Sequence, residues 1–569
     1  MTSIPPAARM AMEHARRGEF EQALAAASQA AASHPDDLGV PVFTAMLHIR
    51  GNALAEALPH LQAAHRIAPN DPVPRLELVR VLIGLGELDE ASSLLDGLAI
   101  PGIEPLRLRA MLLERRGAVE DAAAAYEQIV RTDERDFESW GNLGQCLLAM
   151  GQPDRAIRAF NRSLGLRPDR LTVRLKWAEA HFLAGSGEEA LQELTEQARS
   201  RASGSDPLVA TAHLQDLLGR ADDSYASVEE AVRRSPSDAE ALIAFAEALE
   251  RRNDLERLRE VLDRLRSTGA RSDKVSILLA RLAYRRGEYE EALTDARSAP
   301  PSADAGSRAQ IIGQSLDRLG DPEGAYRAFL EMNREDGRTG GDTAAIAERA
   351  RASLRDQRNF LTAEWIASWA PADAPTMREP AFLVGFPRSG TTLLDTFLMG
   401  HPDLRIAEEE PMVAAVVEEA GDLSRLAGMD AGDVARLREL YFAEAVKHAA
   451  DARSHLLVDK NPFAMGSMPI IHRIFPGARI IFVERHPCDV VLSCFMTRFQ
   501  PTGLGANFLT LEDTARLYVE MMRLWTASAE LLPLKVQHVR YERLVEGAEG
   551  ELRPLAEVLG IDWRPQLLD

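Results

Sequence analysis

Two hydrophobic rhythms divide the chain. Over the first 340 residues apolar positions recur at helical spacing, and a small residue punctuates them at a steady interval: Gly18, Gly51, Gly86, Gly117, Gly151, Gly185, Gly219, Asn253, Gly287 and Gly320. The gaps run from 31 to 35 residues and are mostly 34. Five or six residues after each comes a second small position: Ala23, Ala57, Ala91, Ala122, Ala156, Ala190, Ser224, Ala292 and Ala325, with Leu258 the outlier. This predicts helix pairs, the first helix closed by glycine and the second brought close to its neighbour by alanine. Beyond residue 380 the rhythm changes. Short apolar runs at Ala381–Phe386, Leu456–Asp459, Ala478–Glu484 and Leu534–Arg540 read as buried strands with helical stretches between them. Such a βα series predicts a parallel sheet.

The period of the first part signals tetratricopeptide repeats. The best copy carries Trp140, Gly144, Ala156, Phe160 and Pro168 at the spacing of that repeat. About ten units are expected over residues 1–340, stacked as a right-handed α solenoid whose aromatic and leucine positions are core. Function in such arrays lives on the concave groove, where an extended peptide or another protein is held; a dimerisation or spacer role is the alternative. Residues 341–380 read as a connecting helix and linker, the linker being Pro371–Pro380, and residues 381–569 as a separate α/β domain.

Length and charge narrow the classes. A chain of 569 residues exceeds one core. Its net charge of −21, with few basic runs, argues against a nucleic-acid partner. Three cysteines, Cys146, Cys488 and Cys494, have no metal-ligand spacing, and an odd count fits a reducing compartment. With neither a signal peptide nor a long apolar segment in view, a soluble cytoplasmic protein without a membrane span is expected.

The chemistry gathers in the α/β part. In AFLVGFPRSGTTLLDTFLMGH, a strand runs into a tight loop, Pro387–Gly390, and a helix opens at Thr391. Such a loop aims backbone amides and a helix N-terminus at one point, which makes an anion site. Gly385 and Gly390 keep the spacing of a nucleotide P-loop, but Thr391 stands where that motif has lysine, and Arg388 lies inside the loop. Arg388, Lys460, Arg485 and Tyr541 each follow a strand, so all four fall at one edge of the sheet, where open α/β folds collect ligands. Lysine is scarce, with only Lys176, Lys274, Lys447, Lys460 and Lys535 in the chain. No Walker-B-like acid is evident, so no metal is expected, and a kinase on the same fold is disfavoured.

Pro-Arg-Ser-Gly-Thr-Thr after a hydrophobic strand resembles the 5′-phosphosulfate loop of sulfotransferases that use 3′-phosphoadenosine 5′-phosphosulfate (PAPS), tyrosylprotein sulfotransferases and bacterial repeat-containing ones in particular. The resemblance covers about residues 381–569. It implies that Arg388, Ser389, Gly390, Thr391 and Thr392 hold the 5′-phosphosulfate, and that Arg485 and Ser493 of IIFVERHPCDVVLS hold the 3′-phosphate, with Arg498 as a possible addition. Tyr541 belongs to the same nucleotide site. In HPDLRIAEEEP the family's base falls on Glu409, flanked by Glu408 and Glu410, and Lys460 takes the place of the lysine that contacts the bridging oxygen. The implied activity is in-line sulfuryl transfer to a hydroxyl, with a tyrosine of a protein or peptide docked by the repeats as the favoured acceptor. The competing reading is an interaction scaffold whose transferase domain is inactive or only binds nucleotide. Family members usually run on with a segment that closes over the nucleotide, whereas this sequence ends at Asp569, a departure expected to weaken cofactor affinity.

Overall fold

The structure, a computed structural model, describes the chain except residues 1–5, 18, 35–36, 52, 97–101, 200–203, 268–272, 300–303, 339–340, 372–377, 450 and 569. Gly18 and most of the Pro371–Pro380 linker therefore lie outside the described residues. Two compact units make up the chain, residues 1–270 and 271–569.

Among the described residues, ten helix pairs precede Thr343, the first being Pro6–Arg16 with Phe20–Ser33 and the last Ala305–Arg318 with Pro322–Gly337. The small-residue ladder has the conformation its spacing predicts. Gly86, Gly117, Gly151, Gly185, Gly219, Gly287 and Gly320 all have φ between +67° and +85°, the left-handed turn that ends a helix. Asn253, the non-glycine member, adopts the same turn at φ +56°. Gly51 departs from the series at φ −83°. The second ladder is buried throughout, from Ala23 at 0% exposure to Ala325 at 3%, with Leu258 and Ser224 included. Gly144 has a packing reason of its own, because a Cβ there would lie 2.5 Å from the Phe160 ring. Phe160 and Tyr126 are fully buried, so these aromatics are core.

Eight pairs belong to the first unit. The ninth and tenth, with the long Thr343–Phe360 helix, share the second unit with the sheet. The repeat period and the compactness of the chain thus divide it at different points.

The sheet has five parallel strands: β1 (Ala381–Gly385), β2 (Leu404–Glu408), β3 (Leu456–Lys460), β4 (Arg479–Glu484) and β5 (Lys535–Arg540), in the order β2-β3-β1-β4-β5. Four were expected from the apolar runs, and β2 is the addition. It lies at the sheet edge and is only partly buried, so its residues do not make an apolar run. β1 is buried on both faces: Phe382 and Val384 enter one core with Ile480 and Phe482, while Ala381 and Leu383 enter the other with Ile481 and Val483. From β1 the chain moves to β2 and β3 on one side, then to β4 and β5 on the other. The crevice at the carboxyl end of β1 is therefore a topological switch point. Among the described residues, no helix is long and apolar enough to cross a membrane.

Candidate active site

All five strands deliver a polar residue to the switch-point edge. β1 runs through Phe386 and Pro387 into Arg388, whose φ of +69° is left-handed for a residue with a side chain. Such a conformation costs about 1–2 kcal/mol and persists only where its surroundings hold it. Here Arg388 Nε donates to Ser493 Oγ at 3.2 Å, and the Arg388 carbonyl accepts from Arg485 at 3.2 Å. The Cys494 thiol reaches the Pro387 carbonyl at 3.4 Å, and burial pushes that thiol up to about 12. The loop is also tight against its neighbours. A Cβ on Gly385 would lie 2.6 Å from the Val483 carbonyl oxygen, and one on Gly390 would run into the Tyr541 ring. Tyr541 begins the helix after β5, and the Arg485 guanidinium lies over its ring, 4.5 Å from the centroid. Arg388, Ser389, Gly390, Arg485, Ser493 and Tyr541 thus form one connected cluster.

Two buried polar atoms in this cluster have no protein partner: Ser389 Oγ and Arg485 Nε. Buried polar groups are ordinarily paired, and an unpaired donor beside a helix N-terminus suits a bound oxyanion. The amides of Thr391 and Thr392, in the first turn of the Thr391–Met399 helix, precede that helix's own hydrogen bonds and point the same way. These residues fit a phosphosulfate or phosphate group.

The second cluster centres on Lys460, which is fully buried at the end of β3. Register places it opposite Glu408 at the end of β2. Its Nζ lies 2.6 Å from Glu408, 3.2 Å from Glu409, 3.4 Å from Asp395 and 3.5 Å from Thr392 Oγ1. Burial by itself would lower the lysine, but the Glu408 hydrogen bond and the charges of Glu409 and Asp395 outweigh it and hold the ammonium above its usual value. Asp395 is held above the ordinary carboxylate range by burial, which with the Glu408 charge outweighs the pull of Lys460. Glu409 is again left-handed, at φ +56°, and its amide donates to the Lys460 carbonyl at 2.7 Å. Its side chain remains 62% exposed, so it faces Lys460 on one side and solvent on the other.

The three glutamates of the acid run part ways. Glu408 and Glu409 both face Lys460, and Glu408 is nearer. Glu410 turns away to His448, 2.8 Å from Nδ1. Arg498 does not join the phosphate cluster: its guanidinium is taken up by Asp336 at 2.7 Å, Asp304 at 2.9 Å and Ser307 Oγ at 2.7 Å. Two acids had not been expected. Asp395 is the one charged residue in the apolar helix TTLLDTFLM, and Asp459 precedes Lys460 in LLVDK. Asp459 is fully buried and accepts from the Tyr441 hydroxyl at 2.8 Å; burial pushes it up to about 7. A lone acid inside an apolar run was the signal that could have found both. Among the described residues, no group of three or more His, Cys, Asp or Glu side chains is arranged to hold a metal ion.

Residues 380–565 match the sulfotransferase family model. Tetratricopeptide-repeat models match residues 48–101 and 147–213, and residues 9–72 and 107–170. Nodulation protein NoeE of Sinorhizobium fredii is 31% identical over 209 residues, which are 32% of this chain and 50% of that protein. Protein-tyrosine sulfotransferase A of Caenorhabditis elegans is 25% identical over 204 residues, 33% of this chain and 51% of that protein. Human protein-tyrosine sulfotransferase 1 is 28% identical over 211 residues, 33% of this chain and 52% of that protein. The chain spans about half the length of each of these relatives. Residues 380–565 are a sulfotransferase-family domain, and residues 9–101 and 107–213 match tetratricopeptide repeats.

Proposed function

We propose that the chain is a PAPS-dependent sulfotransferase that moves a sulfuryl group to an acceptor hydroxyl, a tyrosine on a protein or peptide docked by the repeats. The observation that carries this reading is the joined pair of clusters at the switch point, one cationic and anion-binding, the other holding an exposed carboxylate against a buried ammonium. PAPS supplies the sulfuryl group. Ser389–Thr392 and Arg388 would hold its phosphosulfate, and Arg485 with Ser493 its 3′-phosphate, since guanidinium binds phosphate bidentately and a serine hydroxyl adds a further donor.

In the transfer, the Glu409 carboxylate accepts the proton of the acceptor hydroxyl as charge builds on the attacking oxygen. Lys460, fixed by Glu408 and Asp395, presents a permanent positive charge to the negative charge that develops on the leaving side, and Arg388 does the same from the loop. No covalent intermediate on the protein is needed, because positioning and electrostatics supply the rate. The names of the tyrosine sulfotransferases among the relatives support a tyrosine acceptor, and the repeats support a protein one.

The test is calorimetric titration of the chain with 3′-phosphoadenosine 5′-phosphate, beside ADP and ATP. The reading expects tight binding of the 3′-phosphorylated nucleotide alone. Equal affinity for all three, or none for any, would overturn it in favour of a repeat scaffold with a silent transferase domain.

A further inference from the structure

The helix that carries Ser493, Pro487–Phe495, is packed against the tenth repeat. Phe495 lies in one core with Ala309, Phe329 and Met332 of that repeat, and its ring sits 5.7 Å from Tyr326. The Phe495 carbonyl accepts a buried hydrogen bond from Asn333 Nδ2 at 3.0 Å. Just beyond, Arg498 is clamped between Asp304 and Asp336 of the same repeat. The tenth repeat is thus fixed against the segment that presents Ser493, through apolar burial, a buried hydrogen bond and an ion-pair triad.

That packing borders an open pocket. Arg388, Arg485 and Ser493 line one side of a space of about 280 Å³, and Tyr284, Gln314 and Arg318 line the other. Arg318 ends the first helix of the tenth repeat and borders the space beside Tyr284 of the ninth. Asp317 and Asp489 also border the space, so three guanidinium groups face two carboxylates and the cavity carries a net positive charge. The repeats contribute one cation, one carboxylate and two uncharged hydrogen-bonding side chains to a place where the catalytic domain gathers two arginines, a carboxylate and a serine.

We propose that Arg318, beside Tyr284, is a third cation of this anion pocket, so that a nucleotide phosphate bound there is gripped by the catalytic domain on one side and by the last repeats on the other. The proposal rests on the reading of Arg485 and Ser493 as a nucleotide-phosphate site. It makes the ninth and tenth repeats part of the cofactor site as well as part of the acceptor-docking array. Arg318 is exposed, which leaves it accessible to a bound phosphate.

The experiment compares binding of 3′-phosphoadenosine 5′-phosphate and of adenosine 5′-phosphate to the full chain, to Arg318→Ala and to Arg318→Gln, with Arg327→Ala as an exposed control on the same repeat. Losing one charge-assisted contact to phosphate is expected to weaken the 3′-phosphorylated nucleotide about tenfold in both Arg318 variants, leaving adenosine 5′-phosphate and the control nearly unchanged. Arg318→Gln keeps a long polar side chain at the position, so agreement of the two variants isolates the charge from the packing. Unchanged affinity for the 3′-phosphorylated nucleotide, or an equal loss for both nucleotides, would overturn the proposal while the site reading stands. If the wild-type chain itself does not distinguish the two nucleotides, the site reading falls and the proposal falls with it.

Discussion

At the scale of single residues, the buried acids behind the site set a pH dependence of their own. Asp459 has an unfolded value near the ordinary 3.8 and is pushed up to about 7 in the folded chain. Between those values the native state holds a proton that the unfolded chain has lost, so this residue's contribution to stability falls as pH rises and is fully lost above about pH 7. Asp459→Asn cannot ionise and still accepts from Tyr441. Urea unfolding at pH 5 and pH 8 should show the variant gaining on the wild type at the higher pH; a difference that does not change with pH would contradict the assignment. Asp459 and Asp395 show in the sequence only as lone acids inside apolar runs, and the fold is what shows that each faces inward. Arg388, Lys460, Arg485 and Tyr541 were legible because each follows a strand and so falls at one edge. Arg498 was misread for the opposite reason: its sequence neighbourhood is the phosphate motif, but its partners, Asp304 and Asp336, come from repeats more than 160 residues away.

At the scale of elements, the repeat turns were readable because a left-handed helix end selects glycine or asparagine for steric reasons. Asn253 tests that logic. Asn253→Gly and Asn253→Val both remove the side-chain amide, so the difference between them isolates the backbone. Valine at φ +56° is expected to leave its variant about 1–2 kcal/mol less stable than the glycine variant, read as an earlier thermal transition. Coincident transitions would show that the turn is not held in that conformation. The edge strand β2 could not be read in the same way. It is five residues long, partly exposed and followed at once by acids, so no apolar run marks it. Yet it is the strand that sets Glu408 in register with Lys460. Glu409 follows as a left-handed residue whose amide is tied to the Lys460 carbonyl, a backbone feature that no residue type announces.

At the scale of the whole molecule, the period of the repeats and the compactness of the chain give different boundaries, and the difference is physical. The repeat pattern reports local helix pairing and runs to about residue 340. Compactness reports what packs on what, and it puts the last two pairs with the sheet. The Thr343–Phe360 helix belongs there too: Arg351 is buried and bonds Asn507 at 2.6 Å and Asp513 at 2.9 Å. A chain beginning at Asp273 is therefore expected to unfold in one cooperative thermal transition. A chain beginning at Ala381 would expose Phe495 and leave Asn507 and Asp513 without Arg351, and is expected to aggregate or lack a cooperative transition. A well-folded Ala381 chain would show that the repeats are only appended to the catalytic domain.

The proposed transfer has Glu409 taking the acceptor proton and Lys460 facing the leaving side of a sulfuryl group held by the Arg388 loop, and incorporation of labelled sulfate tests it. The full chain is incubated with sulfur-labelled PAPS and a tyrosine-bearing peptide, beside the Glu409→Gln variant and a peptide with phenylalanine in place of tyrosine. Label is expected on the tyrosine peptide alone, with turnover lowered roughly 10²–10⁴-fold in Glu409→Gln, as for loss of a general base, and with affinity for 3′-phosphoadenosine 5′-phosphate retained. Equal labelling by wild type and Glu409→Gln would contradict the role of the glutamate. No labelling of the tyrosine peptide by a chain that binds the nucleotide would contradict the tyrosine acceptor.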